Sequence, residues 1–251
     1  MSSWAALATE LSCWRADGRK PTFWWRDDDA TAPSRALDRL LTIAAGLRAP
    51  VALAVIPAAA EAALAERLDD ARVSVLQHGY AHANHAPAGE KKAELGRHRP
   101  LAAMLAELAE GARRLAELFG VRSRPVLVPP WNRIDPALVA VLPGIAFAGL
   151  STYRARPSAS PAFGLTLVNS HIDIVDWRAG RFLGETAALA LAVDHLAARR
   201  SGHADAEEAT GLLTHHAVHE PAAWRFVERL IAAVRTGGGR WLAAEELFGQ
   251  R

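Results

Sequence analysis

The sequence predicts an α/β fold on a parallel sheet, either rolled into a distorted or incomplete (β/α)7–8 barrel or left open as a doubly wound sheet. Three observations predict it. Short apolar runs alternate with longer Ala/Leu/Arg/Glu stretches of helical period, the β/α alternation of parallel sheets. The runs are continuously apolar, as strands are when both faces are covered. The ionisable residues that stand out follow those runs directly, where the C-terminal strand ends of such folds carry the site.

Taken in order, Trp4 to about Arg15 reads as an amphipathic helix, an N-terminal extension to the sheet. Thr22 to Arg26 (TFWWR) reads as a strand, and Pro33 to Leu47 as a helix with its proline in the first turn. VALAVIP is a strand ending at Pro57, Ala60 to Leu68 a short helix, and RVSVLQHG the next strand. The polar stretch from His82 to Arg99, with its Glu/Lys cluster, reads as a long surface loop. Pro100 to Phe119 is the longest helix. PVLVPPW is a strand that Pro129 and Pro130 terminate. IAFAGLS and LTLVNSHIDI are strands joined by a Pro/Ser-rich loop from Arg154 to Pro161. Gly184 to Arg200 is a helix, GLLTHH a strand, and Pro221 to Arg235 a helix. RWLAAEELF closes the chain as a short strand and helix. With seven or eight strands and no repeat or linker, one domain over residues 1–251 is the simplest organisation.

About half of the residues, 51%, are hydrophobic, enough to bury a sizeable core. The formal charge is +2, with no Lys/Arg block, which argues against a nucleic-acid partner. No apolar run is long enough to span a membrane. Cys13 is the one cysteine, and the first residues lack a signal-peptide pattern, so a cytoplasmic protein is expected. The oligomeric state is not legible.

Five segments carry chemistry. RDDDA follows TFWW and places Asp27, Asp28 and Asp29 together. Three acids also suit a turn or a helix cap, but crowding them needs a cation or an arginine. His78 and His82 are four apart, a spacing that on a helical turn puts two imidazoles on one side. Two histidines and a carboxylate from another strand end make a facial metal triad with open positions. His215 and His216 follow GLLT, and side-chain alternation lets one of them face the mouth of the sheet, where it is a candidate general acid. Trp131 and Trp177 are either core residues or a wall on which a sugar ring stacks.

In this order the segments resemble the polysaccharide deacetylase family, the NodB homology domain of carbohydrate esterase family 4, from about Phe23 to Glu220. The resemblance implies a distorted (β/α) barrel, a divalent metal, usually zinc, and hydrolysis of an N-acetyl group on an amino sugar or oligosaccharide. By the family's motifs, Asp28 would be the base and Asp29, His78 and His82 the metal ligands. VPPWN would form the third motif, with Trp131 near the oxyanion and Asn132 toward substrate. DIVDW would form the fourth, with Asp176 in the catalytic set and Asp173 and Trp177 toward substrate. LLTHH would form the fifth, with His215 as acid and His216 beside the substrate. The chain departs from the pattern at Val128, where the family has arginine, at Ala30 and Asn132, where it has glycine, and by the extra Asp27. Arg26, on the same side of a strand as Asp28, is the expected substitute for the arginine, with Arg133 next. Two other readings stand beside this one: a C–N hydrolase acting on a small non-sugar amide, and a catalytically silent carbohydrate-binding protein.

Overall fold

The computed structural model describes residues 3–68 and 73–249. The strands are β1 (Thr22–Ala30), β2 (Val51–Val55), β3 (Val73–His78), β4 (Ser123–Val128), β5 (Gly149–Leu150), β6 (Thr166–Leu167), β7 (Ile172–Asp173), β8 (Val175–Asp176), β9 (Arg181–Phe182), β10 (Thr210–Thr214) and β11 (Arg240–Leu242). The helices are α1 (Trp4–Ala16), α2 (Arg35–Gly46), α3 (Ala62–Arg67), α4 (Leu101–Phe119), α5 (Pro136–Val141), α6 (Glu185–Ser201), α7 (Pro221–Thr236) and α8 (Ala244–Phe248). The main sheet is parallel and runs β6-β5-β4-β3-β2-β1-β10-β7, with β11 also paired to β1. It curls through 234° into a half-barrel flanked by helices, which resolves the choice between barrel and open sheet.

Side-chain alternation on β1 divides the molecule into two layers. Trp24 points inward and packs with Ala52, Ala54, Leu76, Val126 and Val128, the small and branched residues that fill the barrel. Trp25 points outward into the core between sheet and helices, with Leu37, Leu40, Val227, Leu230 and Ile231. Each large apolar side chain buried this way contributes about 1.5–3 kcal/mol over exposure. Both indoles also place their N–H: Trp24 donates to the Asn169 carbonyl and Trp25 to Thr214 Oγ1.

Local signals explain the helix ends. Ser34 caps α2 by accepting the Leu37 N–H, so Pro33 lies just before the helix and not in its first turn. Pro221 opens α7. Helix α1 is more than an extension: Leu7, Leu11 and Trp14 enter the main core, and Trp14 donates to the Leu196 carbonyl of α6.

The structure departs from the sequence reading in several places. Strand β1 continues to Ala30, so the three acids belong to the strand and do not follow it. LTLVNSHIDI is two short strands, β6 and β7, separated by Val168–His171. The antiparallel hairpin β8–β9 and the helix α5 were not foreseen. Arg72, expected to open β3, lies outside the described residues. Among the described residues, no helix is long and apolar enough to cross a membrane.

Candidate active site

The site forms at the C-terminal ends of β1, β3, β4 and β10. On β1 the register with β2 shifts between Asp27 and Ala30, and Asp29 takes a left-handed backbone (φ 72). Such an irregularity re-aims a side chain. Asp28 therefore keeps the inward direction of Arg26, while Asp29 is turned toward β3.

Asp29 Oδ1 lies 3.1 Å from His78 Nε2 and 3.4 Å from His82 Nε2. His78 Nδ1 donates to the Val128 carbonyl at 2.9 Å, which leaves the Nε2 lone pair directed at Asp29. The position where the family has arginine thus serves through its backbone. Asp29 Oδ1 is buried with no hydrogen-bond partner of good geometry. Two nitrogen acceptors and an orphaned carboxylate oxygen on one point fit a divalent cation, and the donor set suits zinc. The spacing of His78 and His82 works without the expected helical turn. Gly79 (φ 58) and His82 (φ 55) are both left-handed, and the chain between them is irregular.

Without metal, burial would raise the Asp29 carboxyl, but hydrogen bonding and charge from His78, with His215 and His82, lower it to about 2. Burial would lower His78, and Asp29 and Asp28 outweigh it, raising the imidazole above its ordinary range. His82 moves down, through burial and the charge of His78.

Arg26 is fully buried and saturated. Its Nε and Nη2 hold both oxygens of Asp28, at 2.9 and 3.0 Å. Nη2 also donates to Asn132 Oδ1, and Nη1 to Ser151 Oγ and the carbonyls of Ser151 and Thr152. A guanidinium can be buried only when its donors are met this way. Arg133 instead donates to the Lys92 carbonyl, away from Asp28. Asn132, expected to face substrate, spends its oxygen on Arg26.

His215 Nε2 stands 4.0 Å from Asp28 Oδ2, too far for a hydrogen bond. The edge of the Trp177 ring meets the His215 ring at 4.6 Å. Trp177 is 56% exposed, a rim residue and not a core one, and donates to Asp173 Oδ2. Burial raises the Asp173 carboxyl against the opposing charge of His215. Trp131, left-handed at φ 55, packs its ring 4.4 Å from His82.

Two expected residues are committed elsewhere. Asp176 accepts the N–H groups of Arg178 and Ala179 and caps the β8–β9 turn. His216 faces away from the mouth, its Nδ1 2.5 Å from Asp27 Oδ1, and Asp27 also accepts from Thr214 Oγ1 and the His216 N–H. Burial would raise Asp27 and lower His216, but their mutual attraction lowers the acid and raises the imidazole. The extra aspartate thus clamps the segment carrying His215 to β1. Sequence reasoning missed Ser151 and Thr152, which hold Arg26, and Glu94, buried under the His78–His82 turn.

A second triad, His171, His195 and Glu208, lies at the opposite end of the sheet, near the start of β10. The Gly211 N–H donates to His171 Nδ1, so the neutral ring carries its proton on Nε2. The two rings are stacked at 3.5 Å and 16°, so their ring planes run side by side and their nitrogens do not converge on one point. Glu208 already accepts the N–H groups of Asn169 and Arg156. This group does not fit a metal.

No sequence-family model matches the chain, and no curated protein matches it in sequence. Solved structures do. A family 4 carbohydrate esterase from Streptomyces lividans in complex with acetate is 18% identical, with a TM-score of 0.55 over 88% of this chain and 91% of that one. A family 4 acetyl xylan esterase from Clostridium thermocellum in complex with a cobalt ion is 14% identical, with a TM-score of 0.57 over 90% of each chain. BA3943 from Bacillus anthracis, a CE4 family pseudoenzyme, is 13% identical, with a TM-score of 0.60 over 92% of this chain and 66% of that one. The chain therefore has the NodB-like fold of the polysaccharide deacetylases. At these identities the likeness is one of fold.

Proposed function

We propose that the chain is a single-domain, metal-dependent hydrolase that removes an N-acetyl group from an amino sugar or glycan intermediate. The observation that carries this reading is the meeting of three elements at one mouth. Asp29, His78 and His82 converge on one point, Asp28 is pinned by Arg26, and His215 stands across a 4.0 Å gap from Asp28.

Asp29, His78 and His82 would hold zinc, which when bound supplies a Lewis acid for the acyl carbonyl and for water. Asp28 takes the proton of the attacking water. Arg26 grips both its oxygens, which keeps the carboxylate aimed. The backbone N–H near Trp131 would stabilise the developing oxyanion. His215, supported by Trp177 and Asp173, gives its proton to the departing amine. Acetate and a free amino sugar leave. Trp131 and Trp177 offer apolar faces on either side of the gap for a sugar ring.

Release of acetate from N-acetylated glucosamine oligomers, with zinc and after chelation, tests the reading. Zinc-dependent release is expected, and Arg26→Lys should lose most of it while folding and binding zinc, because lysine cannot reproduce the fork. No release from any N-acetylated sugar by zinc-loaded protein would overturn it. The reading favoured in that case is a silent carbohydrate-binding protein, which the missing third-motif arginine at Val128 and the fold shared with a pseudoenzyme support. The single cysteine favours a cytoplasmic substrate, such as a soluble or lipid-linked sugar, which fractionation of the host checks.

A further inference from the structure

Glu94 has no part in the reaction above, yet it is fully buried beside a metal-ligand turn. Its Oε1 accepts the N–H of Ala81 at 2.7 Å and of Ala83 at 3.4 Å, and its Oε2 accepts that of Tyr80 at 3.1 Å. These donors belong to the turn between His78 and His82 and its exit. Backbone N–H groups converging from a turn make an anion-binding nest, and here the anion is the chain's own. The fit is tight: a Cβ on Gly79 would stand 1.9 Å from Glu94 Oε2 and 2.6 Å from Pro130 Cγ.

Glu94 is itself held from both sides. The Ala93 carbonyl accepts the His85 N–H, and the Ala93 N–H donates to Asn84 Oδ1. Leu95 pairs with Ile134, and its carbonyl accepts the Asp135 N–H. Residues 93–95 thus strap the histidine turn to Ile134 and Asp135, just past the Trp131–Asn132 turn.

The two histidine ligands are fixed by different means. His78 ends a strand and is anchored by the Val128 carbonyl. His82 lies off the sheet, its side chain is 24% exposed, and its left-handed backbone is costly unless its surroundings impose it. We infer that Glu94 is a positioning residue for the metal. By filling the nest it sets the direction of the His82 imidazole, and through it the affinity for zinc. The effect on affinity rests on the metal-dependent reading, whereas the nest itself can be tested without metal.

Glutamine is the sharp substitution: it keeps the size of Glu94 but turns an NH₂ group toward N–H donors. Two measurements on full-length Glu94→Gln decide the matter: amide exchange of Tyr80 and Ala81 in metal-free protein, and zinc titration against a competing chelator. Those amides should exchange at least tenfold faster than in wild type, and zinc affinity should fall about 10- to 100-fold, with unchanged circular dichroism. Glu107→Gln, which breaks the pair between Glu107 of α4 and Arg99 just before that helix, should leave zinc affinity alone. If Glu94→Gln does not fold, Glu94→Asp, shorter but still anionic, should show the same changes to a lesser degree. A folded Glu94→Gln that binds zinc like wild type, or an equal loss in Glu107→Gln, overturns the inference. Unprotected Tyr80 and Ala81 amides in wild type would remove the nest. Wild type that binds no zinc, with those amides protected, would instead defeat the metal reading and the affinity claim that rests on it.

Discussion

At one end of the sheet, Asp29, His78 and His82 turn three acceptor atoms toward one point. At the other end, His171, His195 and Glu208 again bring two histidines and a carboxylate within the same span. The difference lies in what the other atoms of each ring and carboxylate are doing. His78 gives its Nδ1 proton to a carbonyl and frees Nε2. His171 accepts at Nδ1 and must keep its proton on Nε2. Asp29 leaves one oxygen orphaned, whereas Glu208 spends both on backbone N–H groups. Composition and distance do not distinguish a candidate metal centre from a buried polar strut; the assignment of each proton does.

The largest effect should come from deleting a ligand at the first end. Asp29→Ala and His78→Ala should lose zinc altogether, while His195→Ala retains it. Metal analysis of the three purified variants checks this, and zinc loss in His195→Ala would erase the contrast. Next is the acid. His215→Ala should lower turnover roughly 10²- to 10⁴-fold with zinc retained, the usual scale of acid–base assistance. His216→Ala should act mainly on stability, since its ring is bound to Asp27. If steady-state kinetics show the reverse order, His216 is the acid. At the second end, Glu208→Ala should leave zinc content unchanged and cost about 3–5 kcal/mol of folding stability, because it strands two backbone donors and the polar groups around them. Urea unfolding gives the number, and a loss under about 1 kcal/mol would show that the strut bears no strain.

Much of the first end was legible in the sequence. Asp28, Asp29, His78, His82 and His215 each sit at or beside the end of an apolar run, and parallel sheets gather such ends. Alternation along β1 was enough to pair Arg26 with Asp28, because a strand interior offers few other conformations. The fold class followed from the same runs. What could not be read depends on long-range backbone contacts. Ser151 and Thr152 hold Arg26 partly through carbonyls, which every residue has. Glu94 stands among Glu90, Lys91 and Lys92 in a stretch without periodicity, so nothing local says which charge is buried. Asp176 and His216 sit beside the candidate site residues Trp177 and His215, and only the turn at β8–β9 and the contact with Asp27 show that they are engaged elsewhere. The second end was not legible as a unit, since its residues are spread from His171 to Glu208 without a motif.

The smallest effect is one of pH, and it separates the metal-free from the metal-bound protein. In metal-free protein burial would lower His78, but the negative charges of Asp29 and Asp28 outweigh it and His78 titrates above its ordinary 6.5. The stability from that attraction is fully present below 6.5 and fades as pH rises through the raised value. Asp29, lowered to about 2, stays ionised and gives way only in strong acid. Zinc must take the place of the His78 proton, so its affinity runs the other way. It should be level above the raised His78 value and fall about tenfold per pH unit below it. His82, moved down by burial and by His78, should add a second proton and a steeper slope only at lower pH. Zinc titrations from pH 8.5 to 5, beside thermal melts of metal-free protein over the same range, give both curves. An affinity that stays flat to pH 5, or a metal-free protein that gains stability as pH rises through the His78 value, would contradict the proton assignment that sets this end of the sheet apart from the other.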